Sequence, residues 1–161
     1  MPRSAVFAVR AAAAIAAATA IWWLCVLPYR AARIEDDVQQ RSDRADAARN
    51  HEETVVLARQ NLRELDGIAS ERRLSATWYM LYAGNCELLE RWSDAIDGYT
   101  RALRIDQRPE IYFSRGFARM HAGDMDGGIA DLVTAVRFRP FLVEQLDGEL
   151  RTRVSAAAGI H

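Results

Sequence analysis

The stretch GDMDGG at residues 123–128 sets Asp124 and Asp126 two apart and follows them with glycines, which is how a calcium loop can begin. Such a loop also takes an oxygen ligand at its fifth position and a glutamate at its twelfth, and Gly128 and Ala135 stand there instead. Both aspartates read better as residues of a helix N-terminus, where the helix dipole favours carboxylates. The histidines His51, His121 and His161 fall on separate segments. Glu52 and Glu53 follow His51, but no second histidine comes four residues on, so the zinc-protease pattern is missing. Cys25 and Cys86 are too far apart to form a metal site or disulfide framework by spacing, and both read as buried apolar thiols. No glycine-rich phosphate loop follows a strand, and no nucleophile has a base in reach by spacing. The sequence therefore points to no catalytic, metal or cofactor-binding residues and away from an enzyme.

The elements around these residues suggest a different task. Half of the 161 residues are apolar and about a quarter are charged, which suits one small globular domain. A net charge of −1 argues against a basic surface for nucleic acid, and no feature points to a small-molecule substrate. Every basic residue other than histidine is arginine, and alanine is abundant, a composition of GC-rich bacterial genomes.

Residues 5–27 are apolar apart from Arg10 and Thr19. The 17 uncharged residues 11–27 make about 26 Å of helix, the short end of a bilayer span. Trp22, Trp23 and Tyr29 stand at its far end, where aromatic rings prefer the headgroup level. A secretory signal peptide is the competing reading, with Arg3 and Arg10 as its basic start. The region that follows, WWLCVLPYRAAR, is bulky where a cleavage site needs small residues, which favours a retained anchor at residues 1–28. Arginine is nearly balanced across the segment. A short N-terminus usually stays inside, so the expectation is a single-pass protein of the inner (plasma) membrane with its domain on the extracytoplasmic side.

Residues 29–66 contain no proline or glycine and predict one long helix ended by Gly67. Its first half, to residue 53, is polar on nearly every face and reads as a solvated spacer, with a weakly seamed coiled-coil stalk as the alternative. In the second half Val55, Ala58, Leu62 and Leu65 form one apolar stripe, a packing helix within residues 54–75.

From residue 76 the chain aligns with itself at a shift of about 33 residues, giving copies at 76–108 and 109–140. Tyr79 falls over Tyr112, Ala83 over Gly116, Ala95 over Gly128, Ile96 over Ile129 and Ala102 over Ala135. Each copy reads as two helices of about 14 residues joined by a short turn, and a period of this length marks stacked helical hairpins. Leu142, Val143, Leu146 and Leu150 then predict a capping helix within residues 141–161.

These residues resemble the tetratricopeptide repeats. The second copy matches with Tyr112, Gly116, Gly123, Asp124, Ile129, Ala135 and Pro140, and the first with Tyr79, Ala83, Trp92, Ala95, Ile96, Tyr99, Ala102 and Leu103. The first departs at Gln107, where the closing proline is replaced and Pro109 arrives two residues late, and at Glu90-Arg91, where a glycine is usual. The resemblance covers some two-fifths of the chain. Together with the anchor and spacer read above, it implies an all-α fold: a transmembrane helix, a helical spacer, then a short right-handed solenoid of helical hairpins with a cap. It also implies protein binding, in a groove lined by the first helix of each pair. Family groove positions fall on Thr77, Met80, Leu81, Gly84 and Glu87, and on Glu110, Phe113, Ser114, Phe117 and Met120. The basic residues that clamp a peptide carboxylate in some members are missing. Met80, Leu81, Phe113, Phe117 and Met120 suit an apolar protein or peptide segment instead, unless they only pack against neighbouring helices. Two functions stay open: an interaction adaptor or assembly factor at the bacterial cell envelope, or a structural subunit of a permanent envelope complex.

Overall fold

The computed structural model describes residues 15–17, 19–20, 22–46, 50–69 and 74–160; residues 1–14, which hold Arg3, Arg10 and the start of the expected anchor, lie outside them. The described chain is all-helical, with 86% in helix and no strand among the described residues. One helix, Ile15–Ala45, is by length and composition long and apolar enough to cross a membrane, and it lies near the N-terminus. Ile15, Trp23, Leu24 and Tyr29 are exposed along it.

Trp22–Val26 is wound as π-helix and runs directly into α1 (Leu27–Asp46). Pro28 supplies a reason. Its ring clashes with the carbonyl four residues back and it has no N–H to offer, so the turn before it widens.

The expected single helix over residues 29–66 is divided. α1 ends at Asp46 and α2 (His51–Ala69) begins after Asn50, whose Oδ1 accepts the Glu52 N–H at 3.0 Å. Gly67 lies inside α2, whose last residue is Ala69. The two helices fold back antiparallel: Thr54 donates to the Ala45 carbonyl at 3.2 Å, and Arg41 pairs with Glu64 further down. That guanidinium holds the Glu64 carboxyl below its ordinary value. The polar half is therefore no solvated spacer. Ala31, Val38 and Ala45, seven apart, are buried, two of them small enough to let helices approach closely. They were easy to discount because every other face of α1 is polar.

α1 also runs beside α3 (Ala76–Leu88) in parallel. Ser75 donates to Glu35 at 3.0 Å near the start of α3, and Asn85 Nδ2 donates to Ser42 at 3.0 Å near its end. Between α1, α2 and α3 lies a buried polar cluster. Asn61 Nδ2 donates to Asn85 Oδ1 at 2.8 Å and to Ser42 at 3.2 Å, while Asn61 Oδ1 accepts from Arg41 Nε at 2.8 Å. Both asparagines are fully buried, so each would destabilise the fold if left without partners. Leu65, Ile68, Trp78 and Leu81 pack around Val38 as the apolar part of the same layer.

The rest of the chain is α4 (Trp92–Leu103), α5 (Pro109–His121), α6 (Met125–Phe138), a 3₁₀ turn (Pro140–Gln145) and α7 (Gly148–Ala158). Each helix from α1 to α7 packs on the next in sequence. The 33-residue shift is visible in the backbone. α3 begins at 76 and ends at 88, α5 begins at 109 and ends at 121, and α4 and α6 begin at 92 and 125. The turns agree: Glu90 has φ +56 and Gly123, 33 residues later, has φ +91. This is a repeat-like helical architecture. Pro109, late for a closing residue, is the first residue of α5, where a missing N–H costs nothing.

Small residues sit where paired helices cross. A Cβ on Gly98 would lie 2.9 Å from the Ala83 Cβ, and one on Gly116 would lie 3.0 Å from the Gly128 carbonyl oxygen. Ala95, Ala102 and Ala135 are fully buried. The expected single capping helix is the 3₁₀ turn followed by α7, with Leu142, Leu146 and Val154 buried against Leu132, Ala135 and Val136. Pro140 and the positive φ of Gly148 explain why this run breaks in two.

Candidate functional site

A concavity of about 670 Å³ lies beside α3. Thr77, Met80, Leu81, Gly84, Glu87 and Leu88 line it from one face of that helix, spaced three or four apart. Ser114, Phe117 and His121 line it from α5 at the same kind of spacing. Trp92 and Tyr99 of α4 form the floor, and Gln39 and Ser42 of α1 form a side wall.

Its polar groups are held in place. Tyr99 donates its hydroxyl to Glu87 Oε2 at 3.0 Å. Arg108, just before α5, directs Nη2 to the Met80 sulfur at 3.1 Å, and its Nε lies 2.7 Å from Asp106 Oδ2 without hydrogen-bond alignment. The His121 ring stacks on Trp92 with centroids 4.5 Å apart and 12° between planes. The groove thus offers a carboxylate, a guanidinium, an imidazole and the apolar side chains of Met80, Leu88 and Phe117. That combination suits holding a chain segment.

Of the residues anticipated for partner binding, Met80, Leu81, Glu87 and Phe117 line the groove, as do Thr77, Gly84 and Ser114. Leu81 is nonetheless buried, with its side chain in the α1–α3 core. Phe113 and Met120 do not line it. They pack with Leu132, Ala135 and Val136, and Met120 lies over Gly128. The lining face of α5 is the neighbouring one, Ser114–Phe117–His121, because the adjacent stripe must cover α6. Phe117 belongs to both faces and meets Phe113 edge-on at 5.1 Å and 67°. Glu110 is paired with Arg139, away from the lining.

Sequence reasoning missed Leu88, His121, Arg108 and the α1 wall. Leu88 and His121 are 33 residues apart, so the shift itself was a usable signal for both. The α1 wall has no local signal.

A buried ionic cluster lies between α5 and α6. Asp131 accepts from Arg115 Nε and Nη2, both at 2.8 Å, and from Arg119 Nη1 at 2.9 Å. Arg115 also reaches the Thr100 hydroxyl at 3.1 Å, tying in α4. Asp124 caps α6, its Oδ1 accepting the Gly127 N–H at 2.9 Å. Among the described residues no three His, Cys, Asp or Glu side chains gather as a metal site. Burial pushes the fully covered Cys86 thiol up to about 11, which makes it a poor nucleophile.

Comparison with protein-family models, with curated proteins and with solved structures finds no match for this chain.

Proposed function

We propose that this chain is a membrane-anchored interaction adaptor or assembly factor. Its tetratricopeptide-like hairpins form a short solenoid on the extracytoplasmic side of a bacterial inner membrane. The observation that carries this reading is the groove along α3 and α5, lined by Met80, Leu88 and Phe117 together with Glu87 and Arg108. The 33-residue recurrence of helix bounds and turns supports the family resemblance, as do the close crossings at Ala83–Gly98 and Gly116–Gly128. The partner is another protein, bound through an apolar helical or extended segment. Binding needs no reaction step, and the groove's polar groups select orientation.

The test is photo-crosslinking in native membranes from the Phe117 position, with Thr152 on α7 as the exposed control. A discrete adduct at position 117 and none at 152 supports the adaptor. Identical patterns at both positions, or no adduct at either, would reject the groove. A partner that resists extraction and is captured quantitatively would favour the structural subunit.

A further inference from the structure

The connectivity gives the domain two unlike ends. α1 leaves the apolar segment and runs outward, α2 returns antiparallel to it, and α3 runs outward again beside α1. α4 pairs antiparallel with α3 through Glu87–Tyr99, and α5 with α4 through Trp92–His121 and Thr100–Arg115. α6 pairs antiparallel with α5 through Tyr112–Phe138 and Arg115–Asp131. The ends of α4 and α6 therefore lie along the edge of the domain from which α1 descends.

That edge carries exposed apolar side chains. Ile105, Phe138 and Phe141 are each more than half exposed. Ile105 and Phe138 are 33 residues apart, as are Arg104 and Arg137 immediately before them. Each copy thus ends in an arginine followed by an uncovered apolar residue. Arg139 lies over the Phe141 ring at 5.6 Å, which joins a cation to an aromatic tip. Asp106 and Glu110 also lie at this edge, paired with Arg108 and Arg139, while the opposite edge carries Glu90, Asp94, Asp124 and Asp126 beside Arg91 and Arg119. The height also agrees. Ser75, at the foot of α3, meets Glu35, seven residues beyond Pro28, which is about 10 Å along α1 and just above a headgroup layer of roughly 5–8 Å.

We infer that this edge, formed by Ile105, Phe138 and Phe141 with Arg104 and Arg137, docks on the anionic headgroups of the bilayer that holds the anchor. The inference rests on the anchor and not on the groove. Arginines supply attraction to anionic lipid, the apolar tips enter the headgroup boundary, and the anchor removes the cost of encounter.

Hydrogen exchange on the full chain tests this, in nanodiscs with about a third phosphatidylglycerol, in nanodiscs of phosphatidylcholine alone, and in detergent micelles. Amides of residues 139–146 are expected to exchange about tenfold more slowly in the anionic bilayer, and less so at high salt. The Phe138→Ser/Phe141→Ser variant and the Arg104→Glu/Arg137→Glu variant are each expected to lose that protection. Unchanged exchange in α3 reports that the fold is intact. Equal exchange in all three surroundings overturns the inference, and so does equal protection in both bilayers. Protection that appears only when membrane extract is added also overturns it, because a protein then covers the edge.

Discussion

Replacing Asp131 with alanine should be among the most damaging single changes in the domain. The carboxylate is nearly covered and takes three charge-assisted hydrogen bonds at 2.8, 2.8 and 2.9 Å. Without it, two guanidiniums face each other across a closed space, with side chains only 12% and 26% exposed. Breaking a buried pair by removing one partner costs about 3–5 kcal/mol. Arg115 keeps the Thr100 hydroxyl and Arg119 keeps the Gly127 carbonyl at 3.3 Å and some water, so the lower end applies, about 3 kcal/mol. That corresponds to a fall of roughly 10 °C in Tm for a domain of this size. Urea unfolding of the full chain in micelles, followed by circular dichroism, measures it. Leucine at both 115 and 131 should recover most of the loss, because an apolar pair leaves one guanidinium fewer to satisfy. A loss below about 1 kcal/mol for Asp131→Ala would refute the argument, since that is the range of pairs water screens freely.

Further outcomes follow from other positions. Glu90→Gly should stabilise the domain by about 0.5–1 kcal/mol, because Glu90 holds a left-handed φ, whereas Gly123→Ala should destabilise it by about 1–2 kcal/mol. Ala135→Phe should overpack the core beneath α7 and cost roughly 1–3 kcal/mol by the same assay. A chain beginning at residue 54 should fail to fold cooperatively in thermal melts. It lacks the cover for Trp78 and Leu81 and the hydrogen bonds of Asn61 and Asn85 to Arg41 and Ser42, each worth about 1–3 kcal/mol. With Cys25 replaced by serine, Cys86 should label at pH 8 about a hundredfold or more slowly than an unfolded thiol. As its folded pKa is raised, its stabilisation is complete below pH 9 and is lost as pH rises toward 11.

The sequence was most legible where spacing repeats. The period of 33 located both hairpins, the stripe Ala58–Leu62–Leu65 found the buried face of α2, and Asp124 read as a helix start because short carboxylates satisfy free N–H groups. What stayed hidden depends on contacts between distant segments. Nothing near Ser42 says that Asn61 and Asn85 will meet there, and alanines at 31 and 45 give little periodic signal although their small size is what the packing uses. In the groove, seven anticipated residues come together, but Phe113 and Met120 lie one face away. Sequence spacing gives a helix's stripes without saying which neighbour claims each.

Since Ile15–Ala45 is one helix, the apolar segment and the folded unit share a single rotational phase. A residue inserted near Pro28 would turn the whole domain by roughly 100° about the helix axis, and four inserted residues would nearly restore it. With that helix as the proposed anchor, the direction in which the groove opens along the membrane plane is set by the count of residues between Trp22 and Ala31. Under the proposed role, with a partner held in the same plane, that count acts as a compass bearing.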